Sequence, residues 1–257
     1  MKKHYILLLA GFLLLLLMYF GFSIKSKQSK QAEQSRSLVA EVLSEDNVIR
    51  SAKERLDDAQ LKRVEQMEQR LRADEVPSVD ILKELASFWY SNGFPGASGV
   101  YAEKIAEIQK DASSWSICGT TYVLAIQNEA DEKLRQFSAG RSRKAFEKAI
   151  SLEPDNLTHR VNLALSFVEM PPEDNPMKGI LMLRELNEAN PENVTVLFNL
   201  ARLAVKTGQF DRASERLEQA LQLEPDNRVL NCLAAEVFAT LGKEEKAQQA
   251  LIKCERN

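Results

Sequence analysis

The side chains best suited to catalysis or metal binding are scarce in this sequence: two histidines, His4 and His159, and three cysteines, Cys118, Cys232 and Cys254. A structural zinc site needs about four nitrogen or sulfur ligands at short spacings, and no pair of these residues stands at such a spacing. His4 precedes a long apolar run and His159 opens a helix-like segment, so both read as surface or capping residues. Three cysteines cannot make a disulfide framework. Each occupies a small apolar position, and all three are expected to be buried thiols. No phosphate-cradling glycine loop and no nucleophile elbow occur. The phrases SLEPDN and QLEPDN close helical patterns and read as helix boundaries, so they offer no acid/base pair. No catalytic residue, metal or cofactor is therefore assigned, and a non-enzyme is expected. Charge balance adds that 34 Lys and Arg against 37 Asp and Glu leave a net −3, the wrong sign for a nucleic-acid binder.

What remains is binding, and binding needs a scaffold. Gly at 10 and Pro at 8 make 18 of 257 residues, roughly 7% against about 12% in average proteins. So few chain-breakers disfavour β-sandwiches and low-complexity linkers, and an all-α fold is predicted. The run Tyr5–Phe22 carries no charge. As a helix it would reach ~27 Å, enough for a hydrocarbon core of ~30 Å. A buried core helix would need a polar face, which this run lacks. A cleaved signal peptide would show a small-x-small site, and FGFSIKSKQSK has none. Residues 1–24 are therefore read as a retained transmembrane anchor. Lys2 and Lys3 on one flank compete with Lys25, Lys27, Lys30 and Arg36 on the other. The short basic tail favours a single-pass bacterial inner-membrane protein with its bulk in the periplasm, while the later lysines and three unpaired cysteines argue the other way.

Residues 25–77 are predicted to be a helical stalk. Val42, Ile49 and Leu56 recur every seven residues with Ala52 and Ala59 beside them, and Leu61, Val64, Met67 and Leu71 continue the stripe. One reading is a coiled coil that dimerises the protein, although Glu45 and Arg63 interrupt its seam. The favoured reading packs these helices onto the end of the following domain.

Residues 78–257 repeat. Gly208 and Gly242 are 34 apart, as are Ala213 and Ala247, Leu217 and Leu251, and Ala220 and Cys254. Pro154 precedes Pro191 by 37, and three extra residues are assigned to the turn MPPEDNPMKG. An earlier copy carries 11 extra residues, QNEADEKLRQF, close to three helical turns. With WSICGTTY placing Trp115, Gly119 and Tyr122, and AFEKAISLEPDN placing Phe146, Ala149 and Pro154, the segment resembles the tetratricopeptide-repeat family, whose unit is a 34-residue helical hairpin. About five units are expected, at 79–111 (degenerate), 112–154, 155–191, 192–225 and 226–257. Arg160, Leu197 and Asn231 stand where the family's Trp would be. Leu200, Leu217, Phe238 and Leu251 are expected to fill the space between units, with Ala213, Ala220, Ala247 and Gly179 at close helix approaches. The last helix is expected to turn Ala247, Ala250, Leu251 and Cys254 inward.

The resemblance implies an all-α solenoid whose first helices line a concave, peptide-binding face. By matching position that face carries Asn162, Leu165 and Glu169, then Thr195, Phe198, Asn199, Arg202 and Lys206, then Glu236. Asn162 and Asn199 resemble asparagines that hold a peptide backbone, and Arg202 and Lys206, one turn apart, suit an acidic ligand. The expected function is a membrane-anchored scaffold or adaptor for a protein or peptide partner, of bacterial envelope type. The alternative is a structural oligomeriser joined through its stalk.

Overall fold

The computed structural model describes residues 44–73 and 77–256. The chain divides into two compact units, Met1–Asn47 and Val48–Asn257. Of the first unit only residues 44–47 are described; the anchor over 1–24 lies outside the described residues, among which no helix is long and apolar enough to cross a membrane.

Twelve helices and no strand occur among the described residues. They are α1 Glu45–Lys53, α2 Asp58–Ala73, α3 Val79–Ser91, α4 Pro95–Gln109, α5 Ala112–Asn128, α6 Glu132–Leu152, α7 Leu157–Glu169, α8 Lys178–Ala189, α9 Val194–Lys206, α10 Phe210–Leu223, α11 Arg228–Thr240 and α12 Glu244–Glu255. From α3 onward they form five hairpins. From α3 onward the main packing joins helices one or two places apart in the chain. That is the mark of a stacked array, in which no hairpin buries its apolar face alone.

Local chemistry sets the punctuation. Asn156, Asn193 and Asn227 each follow a Pro and cap the next first helix, accepting from the amides of Thr158, Val196 and Leu230. The cap satisfies an amide that the helix leaves without a partner. Gly208 and Gly242 end their first helices at φ +71° and +68°, where a Cβ would clash with the backbone. The 11 additional residues lengthen both helices of one hairpin, so α5 and α6 run to 17 and 21 residues against 13 and 14 in α9 and α10. The Pro-rich turn spans 170–177 and opens the gap between α7 and α8.

The core is a chain of clusters. Phe146, Leu163 and Phe167 tie α6 to α7; Val161, Ala164, Leu183, Val196 and Leu200 link α7, α8 and α9; Leu197, Ala213, Leu217, Ala234 and Phe238 continue into α11. Close approaches need small residues. A Cβ on Gly119 would stand 2.6 Å from the Phe146 ring, and one on Gly179 would stand 2.5 Å from the Ala164 carbonyl oxygen. Residues 48–73 belong to the same unit. Val48, Ala52, Val64 and Met67 are buried, and Glu68 accepts from Lys53 Nζ at 2.6 Å and from the Tyr101 hydroxyl at 3.0 Å. Of the stalk's apolar stripe, Ala52, Val64 and Met67 are thus covered inside this unit, Ile49, Leu56, Leu61 and Leu71 are half-buried, and Ala59 is exposed.

Three expectations need correction. Cys232 and Cys254 are joined in a disulfide that links α11 to α12, so only Cys118 is the expected buried thiol; burial, then the Glu103 charge, pushes that thiol well above its ordinary range. His159 is neither a surface nor a capping residue: it is buried, with Nε2 3.1 Å from Glu153 Oε2. Leu251 is exposed rather than interior, as is Ile252, and on α12 only Ala250 is fully covered. No further hairpin follows α12 among the described residues to bury that side.

Candidate functional site

The predicted concave residues fall on first helices α7, α9 and α11. On α9, the apolar side (Val196, Leu197, Leu200, Ala201, Ala204) is buried, which leaves Thr195, Arg202 and Lys206 exposed on the other side with Phe198 half-buried between them. The Arg202 guanidinium lies over the Phe198 ring at 6.0 Å, a weak cation–π contact that holds the charge along the helix. Neither Arg202 nor Lys206 forms an ion pair among the described residues. Asn199 differs: it is buried, and its Nδ2 donates to the Thr195 carbonyl at 2.8 Å. That amide is satisfied by its own helix. On α7, Asn162, Leu165 and Glu169 are half-buried and share one side at three- and four-residue steps, while Glu236 on α11 is exposed.

A more enclosed feature lies nearer the other end of the array. First helices α3 and α5 flank a groove of about 330 Å³, with α4 as its floor. Its rim carries Tyr90, 56% exposed, and Ile117, 62% exposed. Ala102 and Ile105 supply an apolar floor, while Lys83 and Ser114 supply polar atoms at the edges. Ile117 sits at the repeat position that Asn162 and Asn199 occupy in later units. The groove is therefore on the same side of the array as the predicted residues, yet sequence matching passed over it. Two exposed large apolar side chains across a cleft from each other were the available signal.

Buried charges near this groove belong to the scaffold. Glu103 on α4 accepts from Arg141 Nη1 at 2.8 Å and from the Tyr122 hydroxyl at 3.1 Å, tying α4 to α5 and α6. Burial and then the Glu103 charge raise the Tyr122 hydroxyl far above its usual range, so it stays protonated as the donor. Tyr101 is raised in the same way, by burial first and Glu68 second. No group of three or more His, Cys, Asp or Glu suited to a metal occurs among the described residues.

Residues 178–226 match the tetratricopeptide repeat family model, a span that runs from the start of α8 through α10. No curated protein matches the chain. Among solved structures, similar ones include MamA of AMB-1, 21% identical, covering 68% of this chain and 89% of that chain at a TM-score of 0.37. Another MamA crystal structure is 13% identical with the same coverages at 0.42. MamA from Desulfovibrio magneticus RS-1, from residue 41 to its end, is 12% identical, covering 68% of this chain and 92% of that chain at 0.42.

Proposed function

We propose that this chain is a membrane-tethered scaffold that holds a protein or peptide partner along its first-helix side, outside the cytoplasm of a bacterial envelope. The observation that carries the binding reading is the pairing of an apolar-floored groove between α3 and α5 with an open Phe198–Arg202–Lys206 stripe on α9, both on first helices. An anchor residue entering the groove would be desolvated against Ala102 and Ile105, and burial of one such side chain is worth about 1.5–3 kcal/mol. The stripe would add charge steering towards an acidic stretch of the same partner.

The tether rests on the uncharged run Tyr5–Phe22. The compartment rests on the Cys232–Cys254 bond, because disulfides persist in oxidising spaces and are rare in the cytoplasm. That bond leaves one free cysteine, Cys118, in place of three, which weakens the cysteine objection to an exported domain. The oligomeriser reading loses part of its seam, since Ala52, Val64 and Met67 are covered within their own unit.

Site-directed photo-crosslinking in cells tests the binding reading. A photoreactive residue at Ile117 or Arg202 should give discrete protein adducts, whereas one at Lys148, exposed on second helix α6, should not. Equal adducts from all three positions would reject the first-helix side as the binding surface. A topology reporter fused after Asn257 should be active outside the cytoplasm, and activity inside would reject the orientation.

A further inference from the structure

The opposite side of the array holds a cavity of different character. Second helices α8 and α10 flank a space of about 530 Å³ floored by α9. The floor is aliphatic, with Leu200 and Leu203 from α9 and Ile180 from α8. Three guanidiniums stand around it: Arg184, one turn after Ile180 on α8, and Arg212 and Arg216, one turn apart on α10. No carboxylate lines the cavity. None of the three arginines forms an ion pair among the described residues. Arg212 Nη1 donates to Gln209 Oε1 at 2.6 Å. Partial burial, then the Arg212 charge, pull Arg216 below its ordinary range; the neighbouring Glu215 opposes this, and Arg184 adds to it.

Several basic groups elsewhere in this fold are paired with acids. Glu68 takes Lys53, Glu103 takes Arg141, and Glu218 takes both Lys243 and Lys246. At the α8–α10 groove, like charges converge over apolar surface with no acid in the lining, an arrangement that entering negative charge would favour. Guanidinium forks fit carboxylates two bonds at a time. A bare inorganic anion would leave the aliphatic floor wet, whereas a peptide with aliphatic side chains between acidic ones would cover it. We propose that the groove between α8 and α10 binds an acidic peptide segment, its carboxylates on Arg184, Arg212 and Arg216 and an aliphatic side chain against Leu200 and Leu203. This site is independent of the first-helix reading, since it lies on the other helices of the hairpins.

Fluorescence anisotropy of a labelled peptide, Asp-Leu-Glu-Ile-Glu, titrated with the full chain tests it. Binding is expected, and the neutral peptide Asn-Leu-Gln-Ile-Gln should bind at least about tenfold more weakly. Raising salt from about 0.1 to about 1 M, which shortens the screening length from ~10 to ~3 Å, should weaken the acidic peptide alone. The triple change Arg184→Gln, Arg212→Gln and Arg216→Gln should abolish binding with an unchanged circular-dichroism melt, while Arg202→Glu with Lys206→Glu should leave it intact. If the triple variant unfolds, Arg184→Gln alone, at an exposed helix position, provides the comparison and should weaken binding several-fold. No binding of the acidic peptide, equal binding of both peptides, or full binding by the Arg184→Gln chain overturns the proposal. So does recruitment to vesicles containing phosphatidylglycerol that the triple change removes while peptide binding is absent, since that result assigns the groove to a membrane surface.

Discussion

The Cys232–Cys254 bond allows a quantitative test of how this array is held at its end. The bond joins residues 22 apart in sequence, and closing a loop of that size restricts the unfolded chain by about 3 kcal/mol in the chain-entropy view. Removing it from a cooperatively unfolding domain of about 200 residues should lower Tm by roughly 6–12 °C. In a stacked array, the loss should fall on the hairpin that holds the bond. On α12 only Ala250 is fully buried, so that helix depends on the covalent link more than any interior helix does. With Cys232→Ser and Cys254→Ser, amide exchange across 228–255 should accelerate on the order of a hundredfold, the equivalent of that free energy. Exchange in α5 and α6 should stay as it was. Thiol titration of the unfolded, unreduced chain should find one reactive cysteine, Cys118, and three after reduction. Three thiols before reduction would refute the pairing. Unchanged exchange in the double variant would refute the claim that the bond holds the end.

Other perturbations address the packing and the surface. Ala213 is fully buried between helices, so Ala213→Trp should destabilise by about 1–3 kcal/mol or more through overpacking, read as a lower circular-dichroism melt. Two glycine changes should act in opposite directions. Gly179→Ala places a methyl 2.5 Å from a backbone oxygen and should lower the melt, whereas Gly140→Ala meets nothing within 4 Å inside α6 and should raise it by about 0.5–1 kcal/mol. Arg202→Glu with Lys206→Glu should leave the melt unchanged and weaken partner crosslinking from the α9 position. The Glu218 carboxyl is held below its usual range by hydrogen bonds from Lys246 first, then Lys243 and Ser214. Its contribution is therefore present above the unfolded carboxyl pKa and is lost as pH falls through the lower folded value. Since Glu218 is partly exposed, Glu218→Gln should cost under about 1 kcal/mol at neutral pH and nothing once the pH is below both values, measured as melts across an acid series.

Much of the scaffold was legible because it depends on residues close together in sequence. Gly208 and Gly242 at positive φ, the capping asparagines and the buried Ala213 and Ala220 all follow from a 34-residue repeat whose backbone needs recur. The longer α5–α6 hairpin was also readable, since 11 residues preserve helical phase. The features that escaped depend on neighbours the repeat pattern does not specify. Cys254 stands where Ala220 does and Cys232 where Phe198 does, and only the antiparallel pairing of α11 with α12 brings them together. Leu251 matches Leu217 in the repeat, yet Leu217 is covered by the following hairpin and Leu251 has none after it among the described residues. The bond from the Asn199 Nδ2 back to the Thr195 carbonyl depends on the side chain's rotamer, which residue type and repeat position do not specify. The arginine cavity draws on α8 and α10, separated by a whole helix, so no local spacing announces Arg184 beside Arg216.

The concentration of packing between helices one or two places apart from α3 onward has a bearing on how such a sequence tolerates change. A length alteration in one hairpin has to be accommodated only by the elements adjoining it, with no distant core to be refitted. An enlarged α5–α6 pair and a widened proline turn therefore coexist with nearly regular copies at the C-terminal end. Individual links are free to diverge towards new ligands at their own pace, and the filament of hairpins survives because no residue answers to the whole.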